Sequence, residues 1–144
     1  MGSTVTCNGC FDGLHPGHLF FLGYCLAQGD RLVVGINSDR YIMRNKRKKM
    51  NYCESKRKSM LLSIGFIDDV YIYDEDTPIE FIKTIKPSVH CTGQEYSDNC
   101  PESSVCDKFG IELVFVPRIS TWQTSNLDIE FLSLIYKQIM KKDD

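Results

Sequence analysis

The stretch Gly9-Cys10-Phe11-Asp12-Gly13-Leu14-His15-Pro16-Gly17-His18 gathers residue types that suit a phosphate ligand. Glycine-rich backbone after a strand offers free amides to an anion. A helix that begins there points its positive end the same way. Pro16 suits the first helical position. His15 and His18 are two of the chain's three histidines. Three residues apart at a helix start, they project to one side. Gly17 between them lets a ligand approach the backbone closely.

A second signal is charge. Arg44, Lys46, Arg47, Lys48, Lys49, Lys56, Arg57 and Lys58 surround the single acid Glu54. The segment carries +7 and the rest of the chain −9, giving the net −2. Such a block reads as an anion-binding segment or as a solvated loop and helix face. The near-neutral balance of the whole chain argues against a general nucleic-acid coat.

These residues need a frame. Residues 4–7 read as a strand ending in Asn8-Gly9, and 19–28 as a helix closed by Gly29. Residues 31–37 are a second, buried strand, followed by a long basic loop. The pattern predicts a helix over 54–64, with Met60, Leu61 and Ile64 on one face and Gly65 as its stop. Residues 70–73 form a third strand. Thr77 as N-cap and Pro78 at the first position open a helix over Phe81, Ile82 and Ile85, which Pro87 ends. Strands over 88–91 and 111–116 flank a polar loop and a short helix. A last helix is predicted from about Ser125, with Asp128 completing a partial capping box. Strands and helices alternate and most strands are continuously apolar. The expected fold is therefore α/β, a single Rossmann-like domain over residues 1–144. Its five-stranded parallel sheet should carry helices on both faces. Ligands bind such sheets outside the carboxyl ends of the strands, near the switch in strand order. That puts residues 9–18, 37–52, 92–97 and 117–125 on one ligand edge.

His15-Pro16-Gly17-His18 resembles the His-x-Gly-His signature of the nucleotidyltransferase superfamily, and Gly9-Cys10-Phe11-Asp12 its Gly-x-Phe-Asp lead-in. Residues 29–34 with Asn37-Ser38-Asp39 are similar to the second-strand region of sugar-phosphate adenylyltransferases of the ADP-heptose synthase type. Arg57, residues 66–70, Glu75-Asp76-Thr77-Pro78 and Ile85-Lys86-Pro87 keep that subgroup's spacing. Glycerol-3-phosphate cytidylyltransferase shares the frame without the Asp-Thr-Pro stretch. The resemblance implies transfer of a nucleoside monophosphate from ATP or CTP to a small phosphorylated sugar or polyol, with release of pyrophosphate. It implies that His15, His18, Lys46 and Arg118 stabilise the reacting phosphates. Gly9, Cys10, Phe11, Gly17, Arg57, Thr92, Gly93, Thr124 and Ser125 would hold the nucleotide. Asp12 and Asp39 would meet the acceptor; Trp122, the chain's only tryptophan, reads as a wall of the acceptor or base pocket or as a cap on the core. Mg²⁺ is the expected cofactor, with Asp12 as its protein contact. A homodimer in the cytoplasm is the expected setting, with neither nucleic acid nor membrane as partner. A non-catalytic nucleotide-binding module is the alternative of a different class.

The chain departs from the subgroup at two places. Thr92-Gly93-Gln94-Glu95-Tyr96 stands where Lys-Gly-Gly-Asp-Tyr is usual, and Gln123 stands where a Ser is usual. The seven cysteines are an odd number placed on apparent strands and helices, which reads as reduced thiols. His90, Cys91, Cys100 and Cys106 match no compact zinc spacing. The start of the chain lacks a secretory signal pattern, and the apolar runs are too short to span a bilayer.

Overall fold

A computed structural model describes residues 2–46 and 49–117, with Lys46 as backbone only. Five parallel strands form one sheet: β1 (Thr4–Gly9), β2 (Arg31–Asn37), β3 (Asp69–Tyr73), β4 (Val89–Gly93) and β5 (Glu112–Val116). Their order is β3-β2-β1-β4-β5. The order reverses between β1 and β4, so the switch point falls at the carboxyl end of β1, where the glycine-rich stretch begins. The expected parallel sheet with helices on both faces is borne out.

Alternation along the strands sorts the core into two layers. Val5 and Cys7 of β1, Val34 and Ile36 of β2, and Val89 and Cys91 of β4 pack with Leu22, Cys25 and Leu26 of α1 (Pro16–Leu26). Leu61 of α3 (Glu54–Leu62) completes that layer. On the other face, Val33 and Tyr73 meet Phe81 and Ile82 of α4 (Ile79–Ile85). Val105 and Cys106 of α5 (Ser103–Phe109) lie in the same layer. Gly35 is fixed by close approach. A Cβ there would lie 2.7 Å from the ring of Phe81, which packs between the rings of Tyr71 and Tyr73.

Several boundaries differ from expectation, each for a local reason. The first helix starts at Pro16 rather than residue 19, because His15 caps it. The expected loop after β2 begins instead with α2 (Asp39–Tyr41). Ser38 caps that turn by accepting Tyr41 N–H at 3.0 Å, and a π-helical turn, Ile42–Lys46, continues it. The buried face of α3 is Arg57 and Leu61, and Ile64 just past its end packs on the same core, as expected; Met60 does not join it, and Arg57 takes the remaining buried place. Pro78 precedes the fourth helix instead of opening it, and Thr77 Oγ1 still accepts from Ile79 N–H at 3.4 Å. The expected last helix lies outside the described residues. Among the described residues no helix is long and apolar enough to cross a membrane.

The α4/α5 face contains one fully buried histidine. His90 shares a 2.8 Å hydrogen bond with Thr6 Oγ1 through Nδ1, and its Nε2 is buried with no partner among the described residues. Burial pushes its pKa from the ordinary 6.5 down to about 4. As pH falls below 6.5 the unfolded chain takes up this proton before the folded one, so stability must fall with pH. His90 alone should remove about 2 kcal/mol between roughly pH 7 and pH 5. Urea unfolding across that range should show the slope, and His90→Gln should flatten it. An unchanged slope in the variant would exclude His90 as its source.

Candidate active site

The site is built from the carboxyl end of β1. Past Gly9 the chain turns sharply and Phe11 adopts φ 49°, a left-handed conformation that costs a bulky side chain about 1–2 kcal/mol. The turn tucks the Phe11 ring over Gly9, where a Cβ would lie 2.9 Å from the ring, and against His18, with centroids 5.4 Å apart. The strained turn thus helps hold the His18 imidazole.

The two histidines cap α1 reciprocally. His15 Nδ1 accepts the Gly17 N–H at 3.0 Å, and His18 Nδ1 accepts the His15 N–H at 3.2 Å. Ser or Thr with Glu usually fills such a capping box; here two imidazoles do, with ring centroids 3.8 Å apart. A neutral ring whose Nδ1 accepts an N–H carries its own proton on Nε2. Neither Nε2 has a partner among the described residues, and both rings line the same cleft. Burial, and secondarily the neighbouring His15, lower the pKa of His18, which favours this neutral donor form. No acid sits in the first turn of α1, so its positive end is uncompensated. The arrangement presents two fixed N–H donors and a helix N-terminus to an anion.

The cleft has a volume of about 730 Å³ and spans the carboxyl ends of β1, β2, β4 and β5. It is lined by Gly9, Cys10, Phe11, His15, Gly17, His18, Thr92 and Gly93, so these eight expected site residues are brought together. Sequence reasoning missed Asn8, Tyr41, Tyr73 and Glu102, which also line it. Their only signal was position at or beyond a strand's carboxyl end.

Three expected ligand contacts turn out to be engaged with protein. Arg57, expected to hold the nucleotide, has a side chain that is 0% exposed. Its Nε donates to Tyr52 O at 3.0 Å, and its Nη1 to Cys10 O at 3.0 Å and Asn37 O at 2.7 Å. Its Nη2 donates to Asp39 Oδ1 at 2.8 Å. Asp39, expected to meet the acceptor, accepts both Arg57 and the Glu54 N–H at 2.8 Å, while Glu54 accepts the Asp39 N–H at 2.9 Å. Asp12 accepts the Asn51 and Tyr52 amides, each at 2.8 Å. These groups hold the wall of the cleft because their hydrogen-bonding capacity goes to backbone and to each other. The same fact bears on Mg²⁺: each Asp12 oxygen already accepts one backbone N–H and keeps one lone pair. Among the described residues no three His, Cys, Asp or Glu side chains group as a metal site. The fit among the described residues is to an ion carried by the phosphates, not to one held by a protein cage. The Lys46 side chain, Arg118, Trp122, Gln123, Thr124 and Ser125 lie outside the described residues.

Arg57→Met should cost about 3 kcal/mol, because it strips donors from three carbonyls and leaves Asp39 facing a buried apolar group. Arg57→Lys, which keeps the charge but not the planar fork, should recover only part of that loss. Urea midpoints of the three proteins test the ranking. A methionine variant as stable as wild type would remove Arg57 from this role.

The cytidylyltransferase-like family profile matches residues 6–127. "Bifunctional protein HldE" of Campylobacter fetus is 38% identical over 125 residues, which is 85% of this chain and 26% of that protein. The Helicobacter pylori protein of the same name is 42% identical over 93 residues, 64% of this chain and 20% of that protein. The chain therefore spans about a quarter of the length of the curated relatives it matches. Among solved structures, a lipopolysaccharide core biosynthesis protein from Thermoplasma volcanium superposes with a TM-score of 0.67 at 24% identity. That match covers 84% of this chain and 99% of the other. Pantothenate synthetase from Thermus thermophilus gives 0.58 at 12% identity, over 83% of this chain and 57% of that one. Both likenesses concern the fold. With the profile spanning most of the sheet and the His-Pro-Gly-His cap at its switch point, this chain belongs to the cytidylyltransferase-like family.

Proposed function

We propose that this chain is a nucleotidyltransferase. It moves a nucleoside monophosphate from ATP or CTP to a small phosphorylated sugar such as heptose 1-phosphate. The observation that carries this reading is the reciprocal imidazole cap, which aims two neutral Nε2–H donors and the start of α1 into one cleft. The HldE relatives and the Asp76-Thr77-Pro78 stretch favour a sugar phosphate and ATP over glycerol 3-phosphate and CTP.

The chemistry needs no general base. A phosphate monoester has a second pKa near about 6 and is largely dianionic at neutral pH. One of its oxygens attacks the α-phosphorus in line. The bond from that phosphorus to the bridging oxygen breaks, and pyrophosphate leaves with the electron pair. What the protein must supply is placement and cancellation of charge. His15 and His18 would donate to the α- and β-phosphate oxygens, together with the amides at the start of α1. Lys46 and Arg118 would serve the leaving pyrophosphate, and Thr124 and Ser125 the nucleotide. Thr92 and Trp122 stand where acceptor or base would be read. Mg²⁺, a homodimer and a cytoplasmic setting remain part of this proposal, carried by the family resemblance.

Pyrophosphate release with ATP and CTP, each against heptose 1-phosphate and glycerol 3-phosphate, tests the function. Release above the rate of triphosphate hydrolysis with one pair supports it. Nucleotide binding without release for any pair would favour the non-catalytic module. In an active protein, His18→Ala should lower kcat about 10²–10³-fold. It should cost only about 1 kcal/mol of stability, the value of half a helix cap. Activity within a few-fold of wild type would remove His18 from the mechanism. Lys46→Ala and Arg118→Ala should slow all acceptors alike, whereas changes at Thr92 or Trp122 should reorder them. The reverse pattern would exchange the two assignments.

A further inference from the structure

Charge in the cleft is unevenly placed. The histidine cap supplies donors at one end, but among the described residues that line the cleft there is no lysine or arginine. There are three carboxylates: Asp76, Glu95 and Glu102. Asp76 already faces Arg44 at 3.7 Å and Asn45 at 3.4 Å, and Glu95 is exposed. Glu102 is different. It is only 5% exposed, and its side chain makes no capping bond to α5, which it directly precedes. Its Oε2 accepts the Cys100 thiol at 2.9 Å. It forms no ion pair among the described residues, and its Oε1 accepts no hydrogen bond from them. A carboxylate this buried is expensive unless donors reach it.

A buried orphan also lines the cleft. Asn8 gives its Nδ2 to the Tyr73 hydroxyl at 3.3 Å and leaves Oδ1 buried without a partner among the described residues. The β1–β4 register runs through Thr6 beside His90 and Cys7 beside Cys91. One step further it sets Asn8 beside Thr92. Asn8 thus shares with Thr6 and His90 the sheet face that α5 covers. The cleft is therefore lined by two acceptors with spare capacity toward the ligand, the Glu102 carboxylate and the Asn8 amide oxygen.

We propose that Glu102, assisted by Asn8, determines specificity by accepting hydrogen bonds from the uncharged, donor-bearing part of the ligand. The shared chemistry is a hydroxyl or amino N–H held away from any phosphate, because a second phosphate here would face an unpaired carboxylate. The donors are either the acceptor's hydroxyls or the base's exocyclic amine. The inference rests on the nucleotidyl-transfer reading above, but its test does not depend on turnover.

The test is calorimetric binding of ATP, inosine triphosphate and heptose 1-phosphate to the wild-type chain and to Glu102→Gln, with melting temperature and pyrophosphate release measured alongside. Glu102→Gln should weaken one ligand about 10- to 100-fold, the range for a hydrogen bond to a charged group, and leave the other unchanged. If the affected ligand is ATP, wild-type preference for ATP over inosine triphosphate should also collapse, and the amine is the donor. If it is heptose 1-phosphate, the acceptor hydroxyls are. Asn8→Ala should move the same constant in the same direction by several-fold, which covers the case of a poorly folded Glu102 variant. Unchanged affinities for all ligands, or a uniform loss that tracks melting temperature, would overturn the inference while leaving any measured release of pyrophosphate to support the function. A selective loss of affinity in a protein that releases no pyrophosphate would sink the function and keep Glu102 as a binding determinant.

Discussion

The buried guanidinium of Arg57 is the interaction on which the ligand edge depends. It lies among four segments: the turn after β1, the end of β2, the α2 turn and the residues leading into α3. It donates to an acceptor in each one. Two of those acceptors, the carbonyls of Cys10 and Asn37, sit at or just past the carboxyl ends of β1 and β2, where the sheet ladder ends and carbonyls need new partners. A planar fork with five donors can satisfy several such groups at fixed angles, whereas a lysine cannot. Asp39 balances the charge, and Asp12 draws the Asn51 and Tyr52 amides toward the same region. The basic segment is thereby attached at its α3 end, and Arg44 attaches its beginning to Asp74 and Asp76.

This scaffold lets the turn after β1 keep an unfavourable Phe11 conformation. The Cys10 carbonyl beside Phe11 is held by Arg57, and the Phe11 ring is buried against His18. Local strain of about 1–2 kcal/mol is tolerable when the surroundings over-determine the geometry. The result is a histidine pair whose tautomers are set by backbone amides rather than by carboxylates. Nε2–H donors held in place by backbone amides suit a phosphate site that must stabilise developing charge. Glu102 and Asn8, which line the same cleft, add acceptors to the donors of the histidine cap.

Much of this was legible in the residues. Alternating apolar strands and helices dictated a parallel sheet, because continuous apolar strands need cover on both faces. Gly9, Pro16, Gly17 and the spacing of His15 and His18 marked the helix start and its phosphate chemistry, since those are constraints of local geometry. What local rules could not supply was the destination of charge. A sequence shows that Arg57, Asp39 and Asp12 are ionisable, and an ionisable side chain near a ligand edge reads as a ligand. Whether it meets solvent, substrate or backbone depends on which carbonyls and amides the fold leaves unpaired nearby, and that is fixed only when four distant segments converge. Glu102 shows the same limit from the other side. It is one acid among nineteen in the sequence, and only the packing of α5 on the sheet buries it, with no ion pair among the described residues. Sequence determined the frame and the histidine-capped end of the cleft, because both follow from spacing along one chain. Tertiary structure decided which charges hold the wall and which face the ligand, because that choice is made by contacts between residues far apart in sequence.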